Sequence, residues 1–265
     1  MKKIGFIGAG NMGGAMIGGI ARAGFADVFV ADKNQAAVEN LKKEFGIKAA
    51  DNQEAATVAD ILFLAVKPNI LLDVITEIRN HVQKDALVVS IAAGKTLETL
   101  DSAFGRELKI VRVMPNTPAL VGEGMSALAL NKIVGQPEYA EEIQTLVRLF
   151  ESFGKAEIIP EKLMDAVTAV SGSSPAYVFM FIEAMADAAV LGGMPRAQAY
   201  TFAAQAVLGS AKMVLETGRH PGELKDMVCS PAGTTIEAVK ILEETGLRSG
   251  IIQAMEACME KSKAM

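Results

Sequence analysis

The feature that most constrains this chain is an apolar run, residues 3–7, which leads directly into three glycines spaced as Gly8-x-Gly10-x-x-Gly13. Gly8 allows a tight turn from strand to helix, Gly10 lets a pyrophosphate approach the backbone, and Gly13 lets the helix pack closely on the strand. Asp32 closes the next apolar run, about where a ribose-binding carboxylate is expected, roughly 20 residues on. The pattern predicts a dinucleotide-binding βαβ unit rather than a plain glycine-rich turn.

The composition argues against several classes of function. Of the 265 residues, 51% are hydrophobic and 5% aromatic, which predicts a large core made mainly of aliphatic side chains and methionine. A net charge of −5 without a basic tract argues against nucleic acid as a partner. Cys229, Cys258, His81 and His220 are isolated, so we predict neither a disulfide framework nor a metal site. With no targeting segment recognised, these features predict a cytoplasmic location.

The first part of the chain alternates short apolar runs with helical patterns. Because the apolar runs lack period-two patterning, they predict a parallel sheet covered by helices on both faces. We therefore predict an α/β fold whose N-terminal Rossmann-type domain spans residues 1–160, with ligands bound beyond the carboxyl ends of its strands. The predicted strands are 4–7, 28–31, 61–65, 87–91, 110–114 and 156–159, and the predicted helices are 12–23, 35–45, 70–81, 97–104 and 137–153.

Beyond residue 160 every periodic segment is helical, which predicts an all-α dimerisation and substrate domain over residues 161–265. The predicted helices are 175–191, 196–216, 222–228, 234–244 and 247–261. The first is apolar almost all round, so we predict that a partner subunit buries part of it. Glu183 and Asp187 interrupt this helix and argue against a membrane span; a solvated edge or an ion pair explains them better than a paired-carboxylate site.

A loop rich in small and hydroxyl residues, 230–235, precedes the predicted helix 234–244. Backbone N–H groups and hydroxyls at a helix start suit an anion such as a substrate carboxylate. The simpler interpretation is a Ser/Thr helix cap, but a cap needs one such residue and this loop supplies Ser230, Thr234 and Thr235. Residues 171–177 repeat the pattern at another helix start. Cys229 is predicted to be a small buried residue rather than a nucleophile.

At these segments the chain resembles the pyrroline-5-carboxylate reductase family, nearly end to end. The resemblance is carried by residues 5–13, 65–68, 91–94, 114–118, 171–177, 220–222 and 224–226. The most specific segment is 230–236, which resembles the diagnostic motif of that family. Several motifs in the same order over the whole length make a chance match an inadequate explanation.

The resemblance implies that the chain reduces the C=N bond of a cyclic imine to give proline, using NADPH or NADH and no metal. It also implies an obligate homodimer, alone or within a larger homo-oligomer, whose intertwined helical domains complete each other's active sites. The substrate carboxylate would rest on the 230–235 loop, with Thr235 as the catalytic residue near the ring nitrogen. The predicted substrate-binding residues are Ser171, Ser230, Gly233, Thr234 and Thr235. The predicted cofactor-binding residues are Gly8, Gly10, Asn11, Met12, Gly13, Asp32, Lys33, Asn52, Ala65, Val66, Lys67, Pro68, Asn116 and Thr117.

The residue types of this loop agree with an imine substrate. Reduction of a carbonyl usually requires an acid for the developing oxyanion, whereas a protonated imine is already cationic and needs no strong proton donor. The loop offers hydroxyls and amides but no His or Lys. Catalysis is therefore predicted to rest mainly on positioning the ring carbon against the nicotinamide.

Two positions depart from the family pattern. The diagnostic loop usually has two glycines where this chain has Ala232-Gly233, and alanine is disfavoured if the first position needs a positive φ. Many members have small neutral residues after the second strand, where this chain has Asp32. A carboxylate there favours a ribose diol over a 2′-phosphate, although Lys33 and Asn34 offset the repulsion. Both cofactors therefore stay open, with NADPH favoured.

Two other functions compete with this interpretation. A β-hydroxyacid dehydrogenase has a similar glycine stretch and a helical second domain, and would use a lysine such as Lys212 for acid–base work. A non-catalytic sensor of reduced nicotinamide would bind the cofactor without turning over an imine. The hydroxyl-rich loop argues against the sensor, because a sensor needs no second anion site.

Overall fold

The computed structural model describes residues 2–24 and 26–264, which form two compact units. Unit 1 comprises Met1–Ser173 and Cys258–Met265, and unit 2 comprises Ser174–Ala257. Unit 1 therefore extends beyond the boundary predicted after residue 160. The reason lies in its own contacts: Ser262 Oγ donates to Asp165 Oδ1 at 2.7 Å, and Cys258 Sγ donates to Ser173 Oγ at 3.2 Å.

Unit 1 is built on one eight-stranded sheet with the order β3-β2-β1-β4-β5-β6-β7-β8. All neighbouring strands are parallel except β6 and β7, which are antiparallel. The prediction of a parallel sheet is thus confirmed for the Rossmann-type core and is wrong at this one pair. The strands are β1 (Lys2–Ile7), β2 (Ala26–Ala31), β3 (Lys48–Ala49), β4 (Ile61–Leu64), β5 (Leu87–Ser90), β6 (Lys109–Met114), β7 (Gly124–Leu130) and β8 (Gly154–Ile158).

Three helices of unit 1 begin at a side chain that caps them. Asn34, Asp51 and Thr96 each accept a backbone N–H from the first turn of the helix that follows, the role for which short polar side chains are favoured. The helices are α1 (Asn11–Arg22), α2 (Gln35–Phe45), α3 (Asn52–Val58), α4 (Leu71–Ile78), α5 (Leu97–Phe104), α6 (Ala140–Glu151) and α7 (Met164–Val167). A π-helical turn over Thr168–Gly172 follows α7.

Alternate residues of the central strands face opposite sides of the sheet, and both sides are buried. Phe6 and Phe63 belong to one apolar cluster, whereas Ile7 and Leu64 belong to the other. Phe6 and Phe63 stack with ring centroids 4.5 Å apart. Burial on both faces explains why these strands are continuous apolar runs, and it confirms the predicted covering by helices.

Unit 2 consists of helices with few buried positions, most of them alanines. Its helices are α8 (Ser174–Leu191), α9 (Arg196–Thr217), α10 (Pro221–Val228), α11 (Thr234–Glu244) and the first part of α12 (Leu247–Lys263). Ala186 of α8 and Ala199 and Ala203 of α9 are buried, whereas Phe179 is 64% exposed. A single copy therefore leaves much of the apolar surface of α8 uncovered, as its sequence predicts.

Candidate active site

The three glycines of the opening motif each meet a separate steric demand. Gly8 has φ +111°, and a Cβ atom there would lie 2.4 Å from the carbonyl oxygen of Ala65. A Cβ atom at Gly13 would lie 2.3 Å from the carbonyl oxygen of Gly8, so only glycine lets α1 approach β1 this closely. A Cβ atom at Gly10, by contrast, would meet nothing within 4 Å. Gly10 thus borders open space, which is where a ligand can reach the backbone.

The start of α1 offers backbone N–H groups toward that space. The N-cap is Gly10, which has no side chain to cap the helix, and no side-chain cap is formed. The N–H groups of Gly8 and Ala9 are already used, by the carbonyl of Ala31 and the carboxylate of Asp32. The first-turn N–H groups, which begin at Asn11, are the ones left for an anion, and the helix dipole favours negative charge there. This arrangement fits the pyrophosphate of a dinucleotide.

The predicted cofactor residues of unit 1 follow neighbouring strands at one edge of the sheet. The strand order reverses between β1 and β4, and open α/β sheets bind ligands at such a reversal. The structure brings Ala65 and Val66, which follow β4, next to Gly8, which follows β1. Lys67 and Pro68 continue the loop after β4, and the Lys67 side chain is exposed.

Asp32 lies after β2 and is more constrained than the sequence indicates. Its Oδ2 accepts the N–H of Ala9 at 2.6 Å, and its Oδ1 accepts the N–H of Asn34 at 2.7 Å. The carboxylate therefore ties the glycine loop to the start of α2. Lys33 beside it is exposed.

Two further predicted cofactor residues have protein partners of their own. Asn52, at the start of α3, donates from Nδ2 to Glu77 Oε2 at 2.9 Å. Asn116, after β6, is buried and bonded to backbone groups of Met125 and Ser171. Thr117, by contrast, is exposed.

Ser171 lies in the π-helical turn of unit 1. Its hydroxyl donates to the carbonyl oxygen of Val167 at 3.1 Å, which occupies its one proton within the helix. The hydroxyl oxygen keeps its acceptor capacity. In this state Ser171 can accept a hydrogen bond from a ligand, but it cannot donate one.

The predicted substrate loop belongs to unit 2 and starts α11. Its N-cap is Gly233, and no side-chain cap is formed, so the simpler interpretation of Ser/Thr capping does not describe this loop. Ser230 and Thr234 are exposed and Thr235 is partly exposed. Hydroxyls and first-turn N–H groups are thus presented together without a capping side chain, which suits a carboxylate.

Ala232 within this loop has φ +55°, and among the described residues it alone combines a positive φ with a side chain. The position therefore does require the left-handed conformation that the usual glycine supplies, and alanine adopts it at a cost of about 1–2 kcal/mol. At Gly233 a Cβ atom would lie 2.3 Å from Ser230 Oγ, so a larger residue there would require the Ser230 side chain to move.

Several alternative groups have ordinary structural roles. Lys212, the acid–base lysine of the dehydrogenase alternative, is exposed and pairs with Glu216. Asp187 pairs with Arg196, and this hydrogen bond raises the pKa of the guanidinium, as expected for a surface ion pair. His220 accepts the N–H of Gly222 at its Nδ1, 3.0 Å away, which agrees with a turn role. In residues 2–24 and 26–264 no three His, Cys, Asp or Glu side chains gather as metal ligands do.

A cleft of about 460 Å³ borders the glycine loop, and part of its lining escaped the sequence predictions. Arg22, Phe45 and Leu120 line it beside Gly10 and Asn11. The guanidinium of Arg22 lies over the ring of Phe45, 5.1 Å from its centroid. No short motif marks these three residues, because they meet only through the packing of α1 with its neighbours.

Comparison with known proteins decides the family. Over its whole length the chain is 58% identical to the pyrroline-5-carboxylate reductase of Escherichia coli, covering 98% of that protein. The chain belongs to the pyrroline-5-carboxylate reductase family. The reductase of Methanosarcina acetivorans is 46% identical over 100% of this chain and 98% of its own length. The crystal structure of Plasmodium falciparum pyrroline carboxylate reductase with NADP bound is 36% identical, with a TM-score of 0.88 over 99% of this chain and 97% of that one.

Two family models match this chain, one within each predicted domain. Residues 3–94 match the model described as NADP oxidoreductase, coenzyme F420-dependent. Residues 161–265 match pyrroline-5-carboxylate reductase dimerisation. The match to a dimerisation model indicates that the chain self-associates, which agrees with the exposed apolar surface of unit 2. Membership of this reductase family also removes the β-hydroxyacid dehydrogenase alternative.

Proposed function

We propose that this protein catalyses the reduction of 1-pyrroline-5-carboxylate to L-proline, the reaction that the name of its relatives describes. The proposal rests on the presence, in one chain, of a dinucleotide-type glycine loop in unit 1 and an uncapped, hydroxyl-rich helix start in unit 2. The first fits a nicotinamide dinucleotide, and the second fits the carboxylate of a small substrate. When bound, the cofactor supplies the hydride.

The residues of the chain contribute binding and orientation rather than strong acid catalysis. The N-terminus of α11 holds the substrate carboxylate, and the hydroxyls of Ser230 and Thr234 add donors around it. Thr235, in the first turn of the same helix, directs its hydroxyl toward the ring nitrogen. Because the protonated imine is already electrophilic, holding the ring in place accounts for most of the acceleration.

The test follows the consumption of reduced nicotinamide with pyrroline-5-carboxylate and identifies the product by mass spectrometry. We expect turnover with formation of proline. The control replaces the imine by proline in the presence of reduced cofactor, which gives no reaction. Cofactor binding without turnover would contradict the proposal and favour the sensor alternative.

The cofactor of the proposed reaction is NADPH, with NADH as a poorer substitute. Both oxygens of Asp32 already accept backbone N–H groups, which partly compensate its charge and hold it toward the glycine loop. The exposed Lys33 and the positive end of the dipole of α2 offer a 2′-phosphate attraction at the same place. A relative that binds NADP supports the same choice.

Substitutions of Asp32 and Lys33 separate the tie to the glycine loop from the attraction of a 2′-phosphate. We expect Asp32→Asn to lower kcat/KM for NADPH and for NADH by a similar factor, because it weakens the tie to the loop. We expect Lys33→Gln to lower kcat/KM for NADPH alone, by about tenfold, the loss of one charge-assisted hydrogen bond. A large rise of the NADPH/NADH ratio in Asp32→Asn would instead make Asp32 the selector against the phosphate.

The proposed enzyme works as an obligate homodimer in the cytoplasm, without a membrane or nucleic-acid partner. Glu161–Leu191, 31 residues, is long and apolar enough by composition to cross a membrane. The dimerisation model covers this segment, and Glu183 and Asp187 interrupt it. A second subunit covering α8 accounts for the apolar surface with no need for lipid.

A further inference from the structure

The side chain of Asn116 joins three segments that are distant in the sequence. Its Nδ2 donates to the carbonyl oxygen of Ser171 at 3.1 Å, and its Oδ1 accepts the N–H of Met125 at 2.8 Å. Asn116 is only 8% exposed, so water competes little for these bonds. One amide therefore links the loop after β6 to the start of β7 and to the π-helical turn.

The carbonyl of Ser171 has a particular need for this donor. In an α-helix it would accept the N–H of the residue four positions later, but that residue is Pro175, which has none. The backbone here runs as a π-helical turn, in which the N–H of Ser173 donates to the carbonyl of Thr168 at 2.8 Å. Such turns are rare and are concentrated at functional sites. Asn116 supplies a donor where the proline cannot.

We propose that Asn116 is a positioning residue for the reduction, which holds the π-helical turn carrying Ser171 against the loop that follows β6. This inference rests on the proposed function, in which Ser171 lies on the substrate side and Thr117, next to Asn116, on the cofactor side. The amide then sets the spacing between a substrate-side segment and a cofactor-side segment. Transfer between two bound reactants is sensitive to such spacing, and a displacement of about 1 Å costs up to ~100-fold in rate.

The test compares Asn116→Asp with a matched control, Asn131→Asp. Asn116→Asp keeps the acceptor for Met125 but replaces the donor to Ser171 by a carboxylate oxygen. Asn131 is 5% exposed, and its amide also donates to a backbone carbonyl, that of Leu108 at 2.9 Å, and accepts a backbone N–H. It has no place in the predicted site. Asp101 also accepts from Asn131, so the control loses at least as much stability as the test variant.

We expect both variants to unfold at lower temperature and only Asn116→Asp to lose catalysis. Its kcat with pyrroline-5-carboxylate should fall by about 10–100-fold, with a much smaller change in the KM for NADPH. Asn131→Asp should keep the wild-type kcat at a temperature where it is folded. Equal kcat values for the two variants would overturn the inference, because the role of Asn116 would then be stability alone.

A second measurement decides the link without any substrate. Hydrogen–deuterium exchange of residues 168–173 should be faster in Asn116→Asp than in the wild type and unchanged in Asn131→Asp. Unaltered exchange in Asn116→Asp would show that the amide does not hold the turn, and would overturn the inference. A wild-type protein inactive on the imine would overturn the proposed function instead, while the exchange experiment still reports on the turn.

Discussion

At the scale of single residues, Ala232 has a strained backbone conformation. Its φ of +55° is ordinary for glycine and unfavourable for alanine. The methyl group is exposed in the isolated chain, so packing within this chain does not oblige the loop to keep it.

We predict that Ala232→Gly stabilises the protein. Relief of the left-handed strain, about 1–2 kcal/mol, outweighs the greater chain entropy of glycine in the unfolded state, about 0.4–1 kcal/mol, so a net gain near 0.5–1 kcal/mol is expected. Chemical denaturation at fixed protein concentration measures it. The control is Ala238→Gly within α11, which should be destabilising. A loss of stability in Ala232→Gly would contradict the strain read from φ.

We predict that the hydroxyl of Thr235 contributes to catalysis. Thr235→Val keeps the branched shape and removes the hydroxyl, whose oxygen would accept the N–H of the protonated imine, so kcat/KM for the imine should fall about 10–100-fold, the value of one hydrogen bond to a charged group. Thr235→Ser keeps the hydroxyl and should retain most activity. Thermal unfolding of both variants should stay near that of the wild type, because no cap is lost. A fully active Thr235→Val enzyme would remove this residue from the mechanism.

At the scale of elements, different glycines of one motif serve packing and ligand binding where β1 meets α1. Gly13 lies where a Cβ atom would strike the backbone of Gly8, whereas Gly10 lies beside open space. Gly10 also has φ −66°, which alanine adopts without strain. The two glycines therefore offer a matched pair of substitutions.

We predict that Gly13→Ala and Gly10→Ala have opposite consequences. Gly13→Ala should destabilise the protein by about 1–3 kcal/mol through overpacking. Gly10→Ala should leave the free energy of unfolding within about 0.5 kcal/mol of the wild type and yet weaken dinucleotide binding, because the methyl group takes the space of the ligand. Calorimetric titration with NADPH beside denaturant unfolding separates the effects. Unchanged affinity in Gly10→Ala would place the pyrophosphate elsewhere.

Some elements of the fold could not be predicted from sequence patterns. The strands β1, β4 and β5 follow from apolar runs, but β7 (Gly124–Leu130) was not predicted. Its residues, Gly-Met-Ser-Ala-Leu-Ala-Leu, contain no β-branched or aromatic side chain and carry no strand signal. It becomes a strand because β6 and β8 pair with it on either side. The short helix α3 was missed similarly, since its seven residues are too few for a clear period.

For the whole molecule, the exposed apolar surface of unit 2 predicts that stability depends on assembly. Phe179 is 64% exposed on α8, in the part of the chain that matches the dimerisation model. Proteins whose fold is completed by a second copy unfold at a temperature that depends on protein concentration.

We predict that Phe179→Glu shifts the protein toward monomers, lowers its melting temperature and abolishes turnover. Leu72→Glu is the matched control, since Leu72 is an apolar residue that is 43% exposed in unit 1. The control should keep the wild-type mass in analytical ultracentrifugation. A Phe179→Glu protein that keeps the wild-type mass would place the interface away from α8.

Features that depend on local order along the chain could be predicted from its residues. The helix α2, the glycine turn, the apolar strands and the hydroxyl-rich start of α11 follow from periodicity, capping and the special backbone of glycine, all of which act within a few residues. Features that depend on contacts between residues far apart in sequence could not be predicted in this way. In the folded chain Asp32 is bonded to the glycine loop, Asn116 lies beside Ser171 and β7 is a strand. Long-range hydrogen bonds and burial, rather than local preference, fix those positions.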